Sequence, residues 1–195
     1  VIPILSLTQC ESEVSGDMAA TFLRTEYMEE PVGIDDPQPR FSWIIRSTER
    51  GVMQDAYQVL VATEGDILAQ DQGDAWDSGK VTSDNSTQVV YDGDALQTDQ
   101  VYHWKVRVWD ALGEMSAWSE PASFQVGLTS EAQWTGDWVG TDTTVSAPIL
   151  RKEFSPEKEV EQAFVYIAGI GYYELFVNGE KIGDHRMDPG TTNYH

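Results

Sequence analysis

Residues Tyr102 to Asp110 read YHWKVRVWD, and this alternation is typical of a β-strand that buries one face. Successive side chains of a strand point to opposite faces, so the residues fall into two sets. One set is predicted to enter a hydrophobic core: Tyr102, Trp104, Val106 and Val108. The other set is predicted to point outward: His103, Lys105, Arg107 and Trp109. The stretch therefore predicts a long strand at the centre of a β-sheet.

Six further segments show short-strand patterns separated by turn signals: 23–28, 40–46, 56–63, 76–81, 87–91 and 122–126. In the segment 40–46, Phe41, Trp43 and Ile45 share the face expected to be buried. Pro31 to Pro39 is predicted to form a stiff turn, and a helical turn is expected near 66–69. Seven short strands at this spacing, without a convincing amphipathic helix, predict an all-β sandwich of the immunoglobulin or fibronectin III type over residues 22–127.

Two local patterns sharpen this prediction. Leu96 lies six residues before Tyr102, which resembles the tyrosine corner and penultimate strand of a fibronectin type III domain. The motif Ser116-Ala117-Trp118-Ser119 resembles half of the WSxWS signature of cytokine-receptor domains. Arg107 or Lys105 is therefore expected to lie over Trp118 as a cation–π pair worth about 0.5–1 kcal/mol. We interpret this arrangement as structural rather than ligand-binding.

A second module is predicted after a boundary at Gly127 to Gln133, and it spans residues 134–195. The segment 163–168 is apolar on both faces, which suits a strand buried between two layers. The segment 149–154 is predicted to be another strand. Asn178-Gly179 lies between two further apolar runs and predicts a type I′ hairpin. In that hairpin Leu175 faces Ile182, and Phe176 faces Lys181.

This second module has too few strands to be complete. About four strands are predicted, whereas a jelly-roll or lectin-like sandwich takes roughly eight. About sixty residues would also bury little apolar surface by themselves. We therefore expect 134–195 to be the first strands of a sandwich and the chain to be a fragment of something longer. An exposed edge of this kind predicts self-association of the isolated chain.

Three motifs near the C-terminal end resemble the N-terminal β-sandwich module of bacterial α-L-rhamnosidases of glycoside hydrolase family 78. They are GxGYYEL at 169–175, VNGxxxGDH at 177–185 and DPGTTxY at 188–194. The resemblance implies a parent that removes terminal α-L-rhamnose by an inverting, two-carboxylate mechanism. It also implies that the catalytic acids lie in a downstream (α/α)6 barrel. No catalytic residue is therefore expected in this chain, which should be inactive alone.

Four residues are candidates for carbohydrate contact: Trp138, Asp184, His185 and Asp188. Carboxylates bind sugar hydroxyls and indole rings stack on sugar faces, so these residue types suit a glycan. The alternative is a solvated loop in which the aspartates pair with Arg186, each pair contributing little. The single cysteine and the absence of zinc, iron–sulfur or EF-hand spacing predict neither metal nor cofactor.

The formal net charge of −21 argues against nucleic acid and anionic membranes as partners. Residues 1–21 are predicted to be a linker or a signal remnant, and no apolar run approaches the roughly 20 residues of a membrane span. The family resemblance implies an extracellular or periplasmic location. Lipid anchoring at Cys10 is an alternative that Gln9 disfavours. Two functional alternatives stay open: a stand-alone secreted carbohydrate-binding or adhesion module, and a receptor-like domain that binds protein.

Overall fold

The structure is a computed structural model that describes residues 18–141, 148–160 and 162–184. The chain divides into two compact units, Val1–Val139 and Gly140–His195, which are described separately. Within the described residues, no helix is long and apolar enough to cross a membrane.

The first unit is a β-sandwich of two sheets. Its elements in chain order are β1 (Met18–Thr25), β2 (Val32–Ile34), β3 (Arg40–Ser47), β4 (Gln54–Ala62), α1 (Gly65–Ala69), β5 (Trp76–Asp77), β6 (Val81–Thr82), β7 (Val89–Val90), β8 (Val101–Asp110) and β9 (Ala122–Val126). One sheet has the order β2-β9-β8-β4-β5, with β6 also pairing with β4. The other has the order β1-β3-β7, and the two inner faces share one core.

The predicted strands are confirmed, but several of their bounds differ, and β7 covers only Val89–Val90 of the predicted 87–91. β1 begins at Met18, before the predicted start at residue 23, and the predicted strand 76–81 is two short strands. The prediction of a mere turn at Pro31 to Pro39 is wrong, because it contains β2. This strand pairs in parallel with β9, and the Gly33 amide donates to the Gln125 side chain at 2.7 Å. A three-residue strand whose partner lies about ninety residues away leaves no local alternation to detect.

Aromatic rings fill the centre of the core, as the parity of β3 and β8 predicts. Phe41, Trp43 and Trp104 are fully buried. The Phe41 ring lies 4.4 Å from the Trp104 ring and 5.8 Å from the Phe124 ring, measured between centroids. Aromatic pairs at such distances add to the free energy that burial alone provides. Aromatic contacts therefore join the two sheets at the centre of the core.

Two buried tyrosines fix the loop that leads into β8. The Gln97 amide donates to the Tyr102 hydroxyl at 2.9 Å, as the predicted tyrosine corner requires. The Tyr91 hydroxyl donates to the Asp94 carbonyl at 2.7 Å and also contacts the Ala75 carbonyl. Burial raises the pKa of Tyr91 above its usual value near 10, so this hydroxyl stays a donor even in alkaline solution.

A methyl group at Gly93 is predicted to disrupt this loop. A Cβ there would contact the Ala75 carbonyl oxygen and lie 2.6 Å from both the Trp76 Cβ and the Tyr91 hydroxyl. Overpacking of this kind costs about 1–3 kcal/mol, so Gly93→Ala should lower the free energy of unfolding by that amount in urea titrations. Gly136→Ala is the control, because nothing lies within 4 Å of its Cβ. Equal stabilities for the two variants would contradict the packing described here.

In the second unit, the described residues contain one hairpin, made of β10 (Phe176–Val177) and β11 (Glu180–Lys181). Phe176 pairs with Lys181, and the Ile182 amide donates to the Leu175 carbonyl at 2.9 Å. Asn178 and Gly179 have φ angles of 52° and 88°, as a type I′ turn requires. The predicted hairpin and its register are confirmed.

The strands predicted at 149–154 and 163–168 are absent from the structure. The prediction that 163–168 is buried is also wrong, because Val165 and Ile167 are exposed, as are Ile149 and Phe154. A strand needs a neighbour to satisfy its backbone and a second layer to cover its apolar face. The described residues of this unit supply neither for these segments. Their apolar pattern is that of strands, but the described part of the chain contains no partners for them.

Candidate functional site

Cations and aromatic rings alternate along the outer face of the larger sheet. Lys105 Nζ lies 5.1 Å and Arg107 Cζ 4.4 Å from the centroid of the Trp118 ring. Arg107 Cζ is also 5.2 Å from the Trp109 ring, over which Lys80 Nζ lies at 4.7 Å. The predicted contact of Trp118 with Arg107 or Lys105 is confirmed, and both cations make it. We call these five residues the cation–aromatic ladder.

The Ser-Ala-Trp-Ser motif is what holds Trp118 in the ladder. The Ser116 and Ser119 hydroxyls accept hydrogen bonds from the β8 amides of Val108 and Val106 at 3.0 and 3.1 Å. The backbone amides of the same two serines donate back to the carbonyls of Val108 and Val106. These four hydrogen bonds hold the segment 116–119 against β8, and Trp118 therefore lies beside the two cations.

The two central cations are also anchored by oxygen atoms. Lys105 Nζ donates to the Leu68 carbonyl in α1 at 2.6 Å and pairs with Asp71. The Arg107 guanidinium donates twice to Gln58 Oε1, at 2.7 and 3.0 Å. Burial lowers the pKa of Arg107, although nearby aspartates act in the opposite direction. The cations and rings of the ladder are thus already in contact with other groups of the protein.

The outward orientation predicted for Lys105 and Trp109 needs a correction. Both side chains leave the core, but they are only 6% and 7% exposed. The reason is that α1 covers Lys105, while Lys80 and Arg107 cover Trp109. The ladder closes this face of the sheet, which supports its interpretation as a structural feature.

Removal of the central cation should weaken the sandwich. Arg107→Met keeps the aliphatic stem but loses both cation–π contacts and the hydrogen bonds to Gln58. We expect a loss of about 1–3 kcal/mol in the free energy of unfolding, measured with urea. Arg50→Met, at an exposed loop position, should change it by less than about 0.5 kcal/mol. A similar small change for both variants would show that the ladder contributes no stability.

The residues predicted to contact carbohydrate lie in different parts of the chain. Trp138 belongs to the first unit and is 73% exposed. Asp184 belongs to the second unit and is also exposed. His185 and Asp188 lie outside the described residues. Their grouping into one sugar site stays a prediction.

The described carboxylates whose pKa is shifted do not suit a glycosidase proton donor, which needs a raised pKa. The Arg40 guanidinium lowers the pKa of Glu26 through hydrogen bonds of 2.5–3.2 Å. Burial acts to raise the pKa of Asp74, but hydrogen bonds from Thr63 outweigh it and the pKa is lowered. Within the described ranges, no group of three or more His, Cys, Asp or Glu could hold a metal ion.

The pair of Glu26 and Arg40 predicts a pH-dependent contribution to stability. The pKa of Glu26 is lowered from 4.5 in the folded state, so its ionised form stabilises the fold above that pH. This contribution is lost as the pH falls through the folded-state pKa. Glu26→Gln should therefore be less stable than the wild type at pH 7, by a margin that shrinks below pH 4.5. Unfolding curves at several pH values test this, with Glu30→Gln controlling for the lost charge.

A second surface, on the outer face of β1-β3-β7, was missed by the sequence prediction. Arg46 Cζ lies 4.8 Å from the Phe22 ring, and Arg40 Cζ lies 5.3 Å from the Tyr27 ring. Ile44 lies between Arg40 and Arg46 along β3 and is 55% exposed, and Val90, which pairs with Arg40, is 47% exposed. The arginine–aromatic face is defined here as six residues: Phe22, Tyr27, Arg40, Ile44, Arg46 and Val90. The one signal in the sequence was Ile44, an apolar residue on the otherwise polar side of β3.

Comparisons with known proteins agree with this two-part architecture. Residues 20–130 match the family model described as Rha78A-like, N-terminal immunoglobulin domain. The chain belongs to the α-L-rhamnosidase family. Residues 158–195 match a second model of this family, the alpha-L-rhamnosidase N-terminal domain. The resemblance seen in the motifs after residue 168 is thus confirmed, and it extends to the sandwich before them.

Relatives of the chain in this family are much longer than it is. An alpha-L-rhamnosidase of Formosa agariphila is 41% identical over 189 residues, which cover 84% of this chain and 20% of the relative. The structure of the α-L-rhamnosidase of Dictyoglumus thermophilum is 36% identical, with a TM-score of 0.83, over 93% of this chain and 22% of that one. The structure of the Streptomyces avermitilis enzyme complexed with L-rhamnose is 42% identical, with a TM-score of 0.60, over 63% and 12%. The chain therefore spans about a fifth of the length of such relatives.

Proposed function

We propose that this chain is the N-terminal accessory part of an α-L-rhamnosidase, and that it supports a catalytic domain rather than performing the chemistry. The observation that carries this proposal is the match of both units to about a fifth of long rhamnosidases. The parent would hydrolyse terminal α-L-rhamnose residues, with its two catalytic carboxylates in a downstream barrel of the same polypeptide.

The two units would support the catalytic domain in different ways. The first is a closed sandwich with an aromatic core and a ladder over one sheet, which makes it a rigid module. The second exposes apolar side chains in the segments 149–154 and 163–168, where strands are expected. Large exposed apolar surfaces mark contacts with further protein. We infer that additional strands of the parent complete this sandwich.

The test of the parent's activity is an assay of a polypeptide that contains this chain at the length of its relatives. It should hydrolyse an aryl α-L-rhamnoside with inversion at the anomeric carbon, which proton NMR of the first-formed sugar would detect. A polypeptide of that length that folds but releases no rhamnose would refute the proposed activity. Product that retains the anomeric configuration would refute the two-carboxylate inverting mechanism.

Substrate contact is a second candidate role, favoured by the exposed indole of Trp138. In this reading, Trp138, Asp184, His185 and Asp188 help to bind a rhamnose-containing glycan. Titration of the 195-residue chain with such an oligosaccharide should then produce heat, and Trp138→Ala should weaken binding. Trp134→Ala, at a second exposed tryptophan nearby in sequence, is the matched control. Binding that does not depend on these four residues would show that they are solvated surface and not the sugar site. Such binding would support the alternative that the chain is a stand-alone carbohydrate-binding module.

The location of the parent, the type of the first domain and the domain limits are part of the same proposal. We place the parent outside the cytoplasm, in the periplasm or the medium, where plant glycosides are degraded; fractionation of the native host tests this. We also assign the first unit to the fibronectin III type, supported by the tyrosine corner and the cation–aromatic ladder. Its proposed limits are 22–127, with the incomplete sandwich at 134–195. Limited proteolysis should cut first between them and before Met18, where β1 begins.

A further inference from the structure

The arginine–aromatic face differs from the outer face of the opposite sheet. On the larger sheet, the ladder and α1 cover the outward side chains, so that Lys105 and Trp109 are nearly buried. On β1-β3-β7, no described helix or ladder covers Ile44 and Val90, which are about half exposed. An antiparallel sheet whose second face meets water normally carries polar residues there. The exposed isoleucine and valine therefore need a reason.

The composition of this face is that of a protein–protein contact. Aromatic residues and arginine are enriched in interface centres, whereas lysine and glutamate are depleted. The face combines Phe22, Tyr27, Ile44 and Val90 with two arginines, and its neighbour Met28 is exposed as well. Three of these residues, Arg40, Ile44 and Arg46, share one face of β3 because they alternate along it, and Val90 lies beside Arg40 because the two pair across β3 and β7.

A carbohydrate or another polyanion fits the same face less well. Arg40 is already neutralised by Glu26, and the nearby Arg24 pairs with Glu29. The net charge of −21 also repels a polyanion at long range. The Phe22 and Tyr27 rings, on which a sugar could stack, already have Arg46 and Arg40 over them. A protein surface that is mainly apolar, with a carboxylate opposite Arg46, is the better complement.

We propose that the arginine–aromatic face docks against the remainder of the same polypeptide, outside the 195 residues described here. This inference rests on the proposed function, in which about four-fifths of the parent lies beyond this chain. A tethered partner is present at an effective concentration of about millimolar, so a contact too weak to hold a separate protein can hold it. The docked face would fix the orientation of the sandwich within the parent.

Cysteine labelling tests the docking directly. In a Cys10→Ser background, Ile44→Cys and Val90→Cys place reporters on the face, and Leu112→Cys places one at an exposed position outside it. All three should react rapidly with a maleimide in the 195-residue chain. In a polypeptide of the relatives' length, the two face reporters should react at least about tenfold more slowly, which corresponds to a docking constant of about ten or more. The Leu112→Cys reporter should react equally fast in both.

Equal labelling rates at positions 44 and 90 in the short and long polypeptides would overturn the docking proposal. Protection of those positions in the 195-residue chain by a rhamnose-containing oligosaccharide would also overturn it, in favour of a glycan. Concentration-dependent protection in that chain alone would show a second copy as the occupant instead. The labelling readout needs no catalysis. If the longer polypeptide hydrolyses rhamnosides but positions 44 and 90 stay reactive, only the docking proposal is refuted. If those positions are protected but the polypeptide is inactive, only the proposed activity is refuted.

Discussion

Trp104→Ala should lower the free energy of unfolding by about 3–5 kcal/mol, a large part of the stability of a domain this size. Trp104 is fully buried, and its ring lies 4.4 Å from that of Phe41 at the point where the two sheets meet. An alanine there leaves a cavity that neither sheet can fill without moving. Urea unfolding followed by far-UV circular dichroism would measure the loss.

Trp104→Phe is the matched variant, because it keeps an aromatic ring in the same place. Trp104 Nε1 is buried without a hydrogen-bond partner among the described residues, so the wild type carries a desolvation cost at this atom. The phenylalanine variant removes that cost as well as some volume. It should therefore lose much less stability than the alanine variant. Equal losses would mean that Trp104 does not fill the centre of the core.

The second large effect concerns the unit after residue 139. Its described residues expose many large apolar side chains, among them Ile149, Phe154, Val165 and Phe176. The 195-residue chain should therefore self-associate with increasing concentration, whereas a chain of residues 1–139 should stay monomeric. The net charge of −21 opposes this association, so added salt should strengthen it.

Sedimentation velocity on both chains, at low and high salt, would measure this difference. The shorter chain should also keep the unfolding midpoint of the first unit, because its core is formed by residues within 18–126. Monomeric behaviour of the longer chain at all concentrations would contradict the incomplete sandwich. Association of both chains would instead place the adhesive surface on the first unit, with the arginine–aromatic face as the first candidate.

The parts of the fold that depend on local pattern could be predicted from the sequence. The parity of β8 assigns Tyr102, Trp104, Val106 and Val108 to the core, and all four are buried. Asn178-Gly179 predicts both the turn and the register of the hairpin, because φ > 0 at two successive residues leaves few alternatives. In such places the local stereochemistry alone determines the structure.

The parts that depend on distant partners could not be predicted. β2 exists only because β9 lies beside it. The segment 163–168 has the pattern of a buried strand but no partner among the described residues. Lys80, in the loop between β5 and β6, lies over the Trp109 ring of β8, and no spacing in the sequence reveals that contact. The proposed sugar contacts depend on residues in two separate units, so neither spacing nor the structure groups them.

The central claim is that this chain supports rhamnoside hydrolysis without performing it. The most direct test is the turnover of an aryl α-L-rhamnoside by the purified 195-residue chain, measured beside a polypeptide of the relatives' length. We expect aryl release by the longer polypeptide and none above the buffer rate by the 195-residue chain. Turnover by the short chain that co-purifies with it, and is lost on substitution of one of its own acidic residues, would contradict the claim.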